Sequence, residues 1–303
     1  MTQIYIILRN KNCTLHSIIN FKIMKNITKL LTLTIVISTL TAFIVTIKES
    51  TPPGTIKLKE NFYVNKTEVT NVEYREYLHW LNKIYGQNSE EYKKALPDTS
   101  VWSGTNVFID LYLRHPQYGN NPVIGLTLEQ AIKYCKWRSD RVYENMMINK
   151  KAIDLNNNKQ KDSIFTIENF LSGKYPSKIK LSPDEYYPIP EYKLPTKEEW
   201  EFAATSNLDI NKYEYGVTDL KKKHFNTKEI SENFTVEVKK SEQNDFKLLG
   251  MIGNVSEMVE EPNISKGGSW FNYLNDCKIK NDIPYTKPTA WIGFRCICKW
   301  KYK

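Results

Sequence analysis

The clearest pattern along the chain is a polar quartet followed by an apolar stripe, and it occurs three times. Thr70-Asn71-Val72-Glu73 pairs a hydroxyl residue with a carboxylate three positions on, as a capping box does, and Val69 and Tyr74 are placed to staple across it. Val72, Tyr77, Leu78, Leu81 and Ile84 then suit one face of a helix. Thr127-Leu128-Glu129-Gln130 is a second box, opening a helix that carries Ala131, Ile132, Cys135 and Trp137. A third, Thr196-Lys197-Glu198-Glu199, comes after Leu194-Pro195 and leads into Trp200, Phe202, Ala203 and Ala204. The boxes predict three short helices. From about Tyr213 onward no long helical period survives, and short apolar or alternating pieces broken by turn residues predict few, short strands. Residues 145–190 are rich in Asn and Lys, with "DLNNNKQKD" at 154–162, and read as a polar surface insertion that is partly disordered. The predicted class is α+β, a single loop-rich domain poor in regular secondary structure.

A different pattern precedes that domain. Leu30 to Ile47 is an 18-residue run without a charge, with Lys25 and Lys29 on its near side. That length approaches the ~20 residues of a membrane-spanning helix. Basic residues before an apolar run orient the downstream chain outward. The expected layout is an N-terminal extension at 1–29 with a natural start at Met24, a signal anchor or signal peptide at 30–47, a linker at 48–57 and the domain at 58–303. The domain is expected in the cell envelope, on the periplasmic or outer-surface side, anchored in the inner membrane through 30–47 or exported through it. No cysteine ends the apolar run, which gives no support to a lipid anchor.

Charge adds little beyond this. Of the net +9, +5 sits in the first 50 residues, and Lys221-Lys222-Lys223 reads as a solvated face, so nucleic acid is not an expected partner. His16, His79, His115 and His224 have no metal spacing, and neither a phosphate-binding glycine loop nor a G-x-S-x-G elbow is present. The 19 Tyr, 12 Phe and 7 Trp serve mostly as core, with an exposed subset suited to a partner interface.

Six segments occur in an order that resembles the formylglycine-generating-enzyme, or sulfatase-modifying factor, family. They are "EVTNVEYREYL" (68–78), "NPVIGLTLEQAIKYCKWRSDR" (121–141), "YKLPTKEEWEFAA" (192–204), "GMIGNVSEM" (250–258), "KGGSW" (266–270) and "GFRC" (293–296). The resemblance implies a C-type-lectin-like variant fold. Within the family, "HPQYGNNPVIGLT", "YCKWRSDRVYE" and "ENFLSGKYP" look like the gliding-motility lipoproteins of the GldJ and GldK type. Those are understood as structural parts of motility and type IX secretion machinery, which implies envelope or secretion-machinery proteins as partners.

The resemblance also sets expectations for chemistry. Catalytic members hold Cu(I) between two cysteines in the pattern C-x4-C after the "GGS" turn, and oxidise a substrate cysteine to formylglycine. Soft Cu(I) is satisfied by a pair of thiolates. Counted from Trp270, Cys277 falls on the first position and Asp282 on the second, where a hard oxygen replaces sulfur. Copper is therefore not expected, and Cys277 is a candidate catalytic thiol only if activity survives. Family members bind calcium at the "GNVxE" turn through main-chain oxygens and a carboxylate, which points to Gly253, Val255 and Glu257. Gly250 stands where the family has Asp or Asn, and Glu257 is either a ligand or a brace of the turn. Cys135 and Cys296 match positions that form a structural disulfide in some members, leaving Cys298 without a partner other than Cys277. The expected function is that of a non-catalytic structural or interaction component of the envelope. The alternative is a divergent copper-dependent oxidase acting on a cysteine of a sulfatase-type substrate.

Overall fold

The computed structural model describes residues 51–103, 111–154, 164–178, 188–231 and 234–302. The proposed start at Met24 and the apolar segment 30–47 lie outside the described residues. Within them, no helix is long and apolar enough to cross a membrane.

All three capping boxes form. Helix α1 (Asn71–Tyr85), helix α3 (Leu128–Asn149) and helix α5 (Lys197–Thr205) start at Thr70, Thr127 and Thr196. At each, the threonine hydroxyl accepts a backbone N–H from the third residue, whose side chain accepts the threonine N–H in return. Val69 and Tyr74 close the staple in the core. Two shorter helices, α2 (Glu90–Lys93) and α4 (Ile167–Leu171), are single turns capped by Ser89 and Thr166.

The helical faces are rotated slightly from the expected ones. Val72 is 38% exposed and Ile132 48% exposed. Asn71 is buried instead, because its amide donates to the carbonyls of Tyr112 and Tyr118 at 3.0 and 2.9 Å. Helix α3 also runs on to Asn149, into the segment expected to be a polar insertion. There Tyr143 and Met147 pack with Phe165, Phe170 and Tyr175 into a small core. That part of the segment is folded around aromatics, while 155–163 and 179–187 lie outside the described residues.

Strands β1 (Thr55–Lys59), β2 (Phe62–Asn65), β3 (Ile189–Lys193) and β8 (Ile297–Lys301) form an antiparallel sheet in the order β1-β2-β8-β3. Strands β4 (Ser256–Met258), β5 (Ile264–Lys266), β6 (Ile283–Pro284) and β7 (Ile292–Gly293) form a second, in the order β6-β5-β4-β7, with β4 and β7 parallel. Strands this short give the C-terminal half its loop-rich character. Alternation along β2 and β8 divides the interior. Tyr63 and Cys298 face a core with Tyr74, Tyr134 and Phe294, while Phe62, Val64 and Ile297 face a second core built on Trp200, Phe225 and Cys277. The turns that carry the candidate chemistry pack onto this second core.

Candidate functional site

The glycine pair after β5 shapes the first part of the site. Gly267 and Gly268 have φ of +86° and +69°, the left-handed region that glycine enters without a Cβ penalty. The chain can then lie directly on Cys277, which ends a one-turn 3-10 helix, Leu274–Cys277. Cys277 is fully buried, its Sγ donates to the Tyr273 carbonyl at 3.3 Å, and it belongs to the core that holds Trp200, Met251 and Ile279. Burial pushes its thiol up to about 12. A thiolate, the form that ligates metal or attacks, is therefore disfavoured here.

Asp282 lies at the sequence-predicted second position and is fully engaged. Its carboxylate accepts from Lys197 at 2.6 Å and from Lys266 at 3.0 Å. Partial burial works to raise its pKa, but the two ammonium groups hold it below the usual carboxylate range. Lys266 is completely buried and donates also to Glu201 at 2.7 Å, so Asp282 is one of two anions that make its burial tolerable. The same five-residue spacing counted back from Cys277 ends on Asn272, whose Oδ1 accepts the Ser269 hydroxyl at 2.6 Å. In either direction the partner of Cys277 is not sulfur. Cys298 packs in the other core, its sulfur 3.9 Å from the Lys299 carbonyl, and is not brought to Cys277. These donors do not fit a two-thiolate copper centre. Beside them opens a polar hollow of about 460 Å³ lined by Asn272, Asp276, Lys280, Asn281 and Asp282.

Gly253, Val255 and Glu257 do come together on one tight turn, with Gly253 and Asn254 at φ of +78° and +61°. Gly253 N–H donates to Gly267 O at 3.0 Å, which links this turn to the glycine pair. Val255 is a buried apolar side chain. Both Glu257 oxygens are taken: Arg295 donates Nε to one at 2.7 Å and Nη2 to the other at 2.5 Å, and Trp200 Nε1 donates at 2.7 Å. Arg295 also reaches the carbonyls of Asn65 at 3.1 Å and Leu249 at 2.8 Å. The carboxylate of the turn, the anionic ligand a hard cation would take there, is thus spent on a guanidinium and an indole. A Cβ on Gly250 would stand 2.6 Å from the carboxylate of Glu68, which fills the space where the family's ligand side chain is expected. This arrangement does not fit calcium, and Glu257 acts as a brace. Among the described residues, no group of three or more His, Cys, Asp or Glu is placed to hold a metal.

Glu68 itself is fully buried. Its Oε1 accepts from Asn254 Nδ2 at 2.8 Å, and its Oε2 has no hydrogen-bond partner. Burial, opposed by Arg295 and assisted by Glu257, pushes its carboxyl up to about 8. Cys135 and Cys296 face each other with their sulfurs 3.3 Å apart. Burial pushes the Cys135 thiol up; burial acts the same way on Cys296, but Cys135 and Arg138 together hold it below its ordinary value. The site residues that sequence reasoning missed are Glu68, Lys266 and Arg295. All three stand inside the quoted segments, Glu68 opening "EVTN", Lys266 opening "KGGSW" and Arg295 within "GFRC", so motif membership was the available signal.

The family model described as sulfatase-modifying factor enzyme 1-like domain matches residues 29–300. Similar solved structures include Treponema denticola variable protein 1, at 17% identity, covering 82% of this chain and 92% of that one with a TM-score of 0.42. Others are CarF, at 18% identity, 78% and 86% coverage and a TM-score of 0.43, and PvdO from Pseudomonas aeruginosa, at 17%, 78% and 80% with 0.44. No curated protein matches the chain.

Proposed function

The chain belongs to the family of sulfatase-modifying factor enzyme 1-like domains, and from that premise we propose that it is a non-catalytic member acting as a structural or interaction component of the cell envelope. The observation that carries this reading is the state of Cys277. It is a lone, buried thiol whose pKa burial raises, with Asn272 and Asp282 at the two positions where C-x4-C spacing would require a second sulfur. Family membership fixes the fold and leaves function to the site. Here Asn272, Asp282 and Glu257 are each held by other side chains of the chain.

The resemblance of "HPQYGNNPVIGLT", "YCKWRSDRVYE" and "ENFLSGKYP" to gliding-motility proteins of the GldJ and GldK type favours a role in a motility or type IX secretion assembly. The apolar run at 30–47 favours export or anchoring at the inner membrane. Neither copper nor calcium is part of the proposed role. The test is to measure Cu(I) binding and oxygen-dependent loss of thiol from a sulfatase-type cysteine peptide, with wild type and Cys277→Ala side by side. The expected result is no turnover by either protein; turnover that Cys277→Ala abolishes overturns the reading.

A further inference from the structure

The segments 228–231 and 270–274 lie side by side and leave an apolar patch uncovered. Lys228 N–H donates to Asn272 O at 2.9 Å, Ser231 Oγ to Trp270 O at 3.0 Å, and Leu274 N–H to the Glu229 carboxylate at 2.9 Å. On this strip Ile230, Phe271 and Tyr273 are 55%, 46% and 53% exposed. Phe271 stacks on Trp291 with centroids 4.4 Å apart and meets Trp270 edge-on, and Trp270 is pinned by its Nε1–H to the Ala290 carbonyl at 3.1 Å. The rings are thus held in place before anything binds, which reduces the ordering cost of an interface.

Lys228 supplies the charge. Its ammonium lies 4.5 Å from the Tyr273 centroid and 5.6 Å from that of Phe271. Among the described residues it forms no salt bridge: the neighbouring Glu229 carboxylate is turned to the Leu274 N–H and acts on Lys228 only through space. An aromatic surface around an exposed ammonium that forms no salt bridge is complementary to an aromatic side chain next to a carboxylate: ring on ring, anion on ammonium.

We propose that this patch docks a protein partner through an aromatic residue flanked by Asp or Glu. The proposal names the kind of partner for the interaction role above and rests on that reading. The experiment is selection of displayed random peptides on the full chain in detergent micelles, repeated on Phe271→Ala/Tyr273→Ala and on Lys228→Glu. All three positions are at the surface, and circular dichroism confirms that each variant folds.

The expected result is enrichment of peptides with Trp, Phe or Tyr within two residues of Asp or Glu. Their affinity falls at least ~10-fold on the double variant, the scale of a lost aromatic hot spot. Lys228→Glu shifts selection to peptides in which Lys or Arg replaces the acid. Peptides without acidic residues, no enrichment, or equal binding to the double variant overturn the docking proposal and leave the non-catalytic reading standing. The thiol-oxidation assay overturns that reading and leaves the patch untouched.

Discussion

Gly268 gives up its side-chain space to the sulfur of Cys277: a Cβ at residue 268 would stand 2.1 Å from Sγ. The glycine is also left-handed, with φ of +69°. Gly268→Ala therefore incurs two separable costs, a clash and backbone strain of about 1 kcal/mol. The combined loss is expected at about 3 kcal/mol or more in urea unfolding, the range of an overpacked core site. Cys277→Ala in the same chain removes the sulfur but keeps the Cβ 2.8 Å away, so part of the clash and the backbone cost remain, and the double variant should lose less than the sum of the two single losses. Simple additivity of the two losses would show that the residues do not share this space.

Asp282 is tied to its lysines in a way that makes the position hard to return to cysteine. Replacing it leaves the buried Lys266 with Glu201 as its one remaining carboxylate partner. Asp282→Cys is expected to destabilise by about 1–3 kcal/mol, and Asp282→Asn by less, since an amide oxygen still accepts a hydrogen bond. Equal stability of Asp282→Cys and wild type in urea unfolding would mean that the ion pair does not stabilise the fold.

Cys135 and Cys296 are 161 residues apart in sequence and in sulfur contact in the fold. In an oxidising compartment they are expected to form a bond that stabilises the protein by about 2–4 kcal/mol, by the chain-entropy argument for a long loop. Alkylation of the unfolded, unreduced protein followed by peptide mass mapping should label Cys277 and Cys298 and leave 135 and 296 unmodified. Labelling of Cys135 and Cys296 without reductant would rule out the bond.

The features legible in the sequence were local. Thr70 with Glu73, Thr127 with Gln130 and Thr196 with Glu199 announce helix starts because each box closes within four residues. The exposure of Val72 was not readable, because it results from Asn71 turning inward to carbonyls some forty residues ahead. The same holds at the site. Cys277 as an odd thiol was visible in the spacing, but its burial depends on the close approach of Gly268, and the engagement of Asp282 depends on Lys197 and Lys266. The juxtaposition of Cys135 with Cys296 was expected only through family resemblance, since nothing in the spacing selects that pair.

Calcium should have no effect on stability. The carboxylate of Glu257 and the carbonyls of Asn65 and Leu249 are held by Arg295. Thermal unfolding in excess calcium and in excess chelator is expected to coincide. Arg295→Met, by contrast, strands Glu257 and should cost about 3–5 kcal/mol, as breaking a buried pair does. A rise in Tm on adding calcium to the wild type would show that the turn binds the ion after all.

Glu68 sets a pH dependence of unusual sign. Its folded pKa is raised to about 8 from an ordinary glutamate value of 4.5, because burial opposes its charge. Between those values the native chain holds a proton that the unfolded chain has released. Stability from this group must then fall as pH rises from about 4.5 to about 8, at up to about 1.4 kcal/mol per pH unit, and level off above. Most carboxylates give the opposite trend, with stability lost on acidification. Glu68→Gln keeps an acceptor for Asn254 and has no proton to release, so its stability should exceed wild type at pH 9 and lack the decline between pH 5 and 8. Urea unfolding across that range measures both curves, and parallel curves would show that Glu68 stays ionised in the fold.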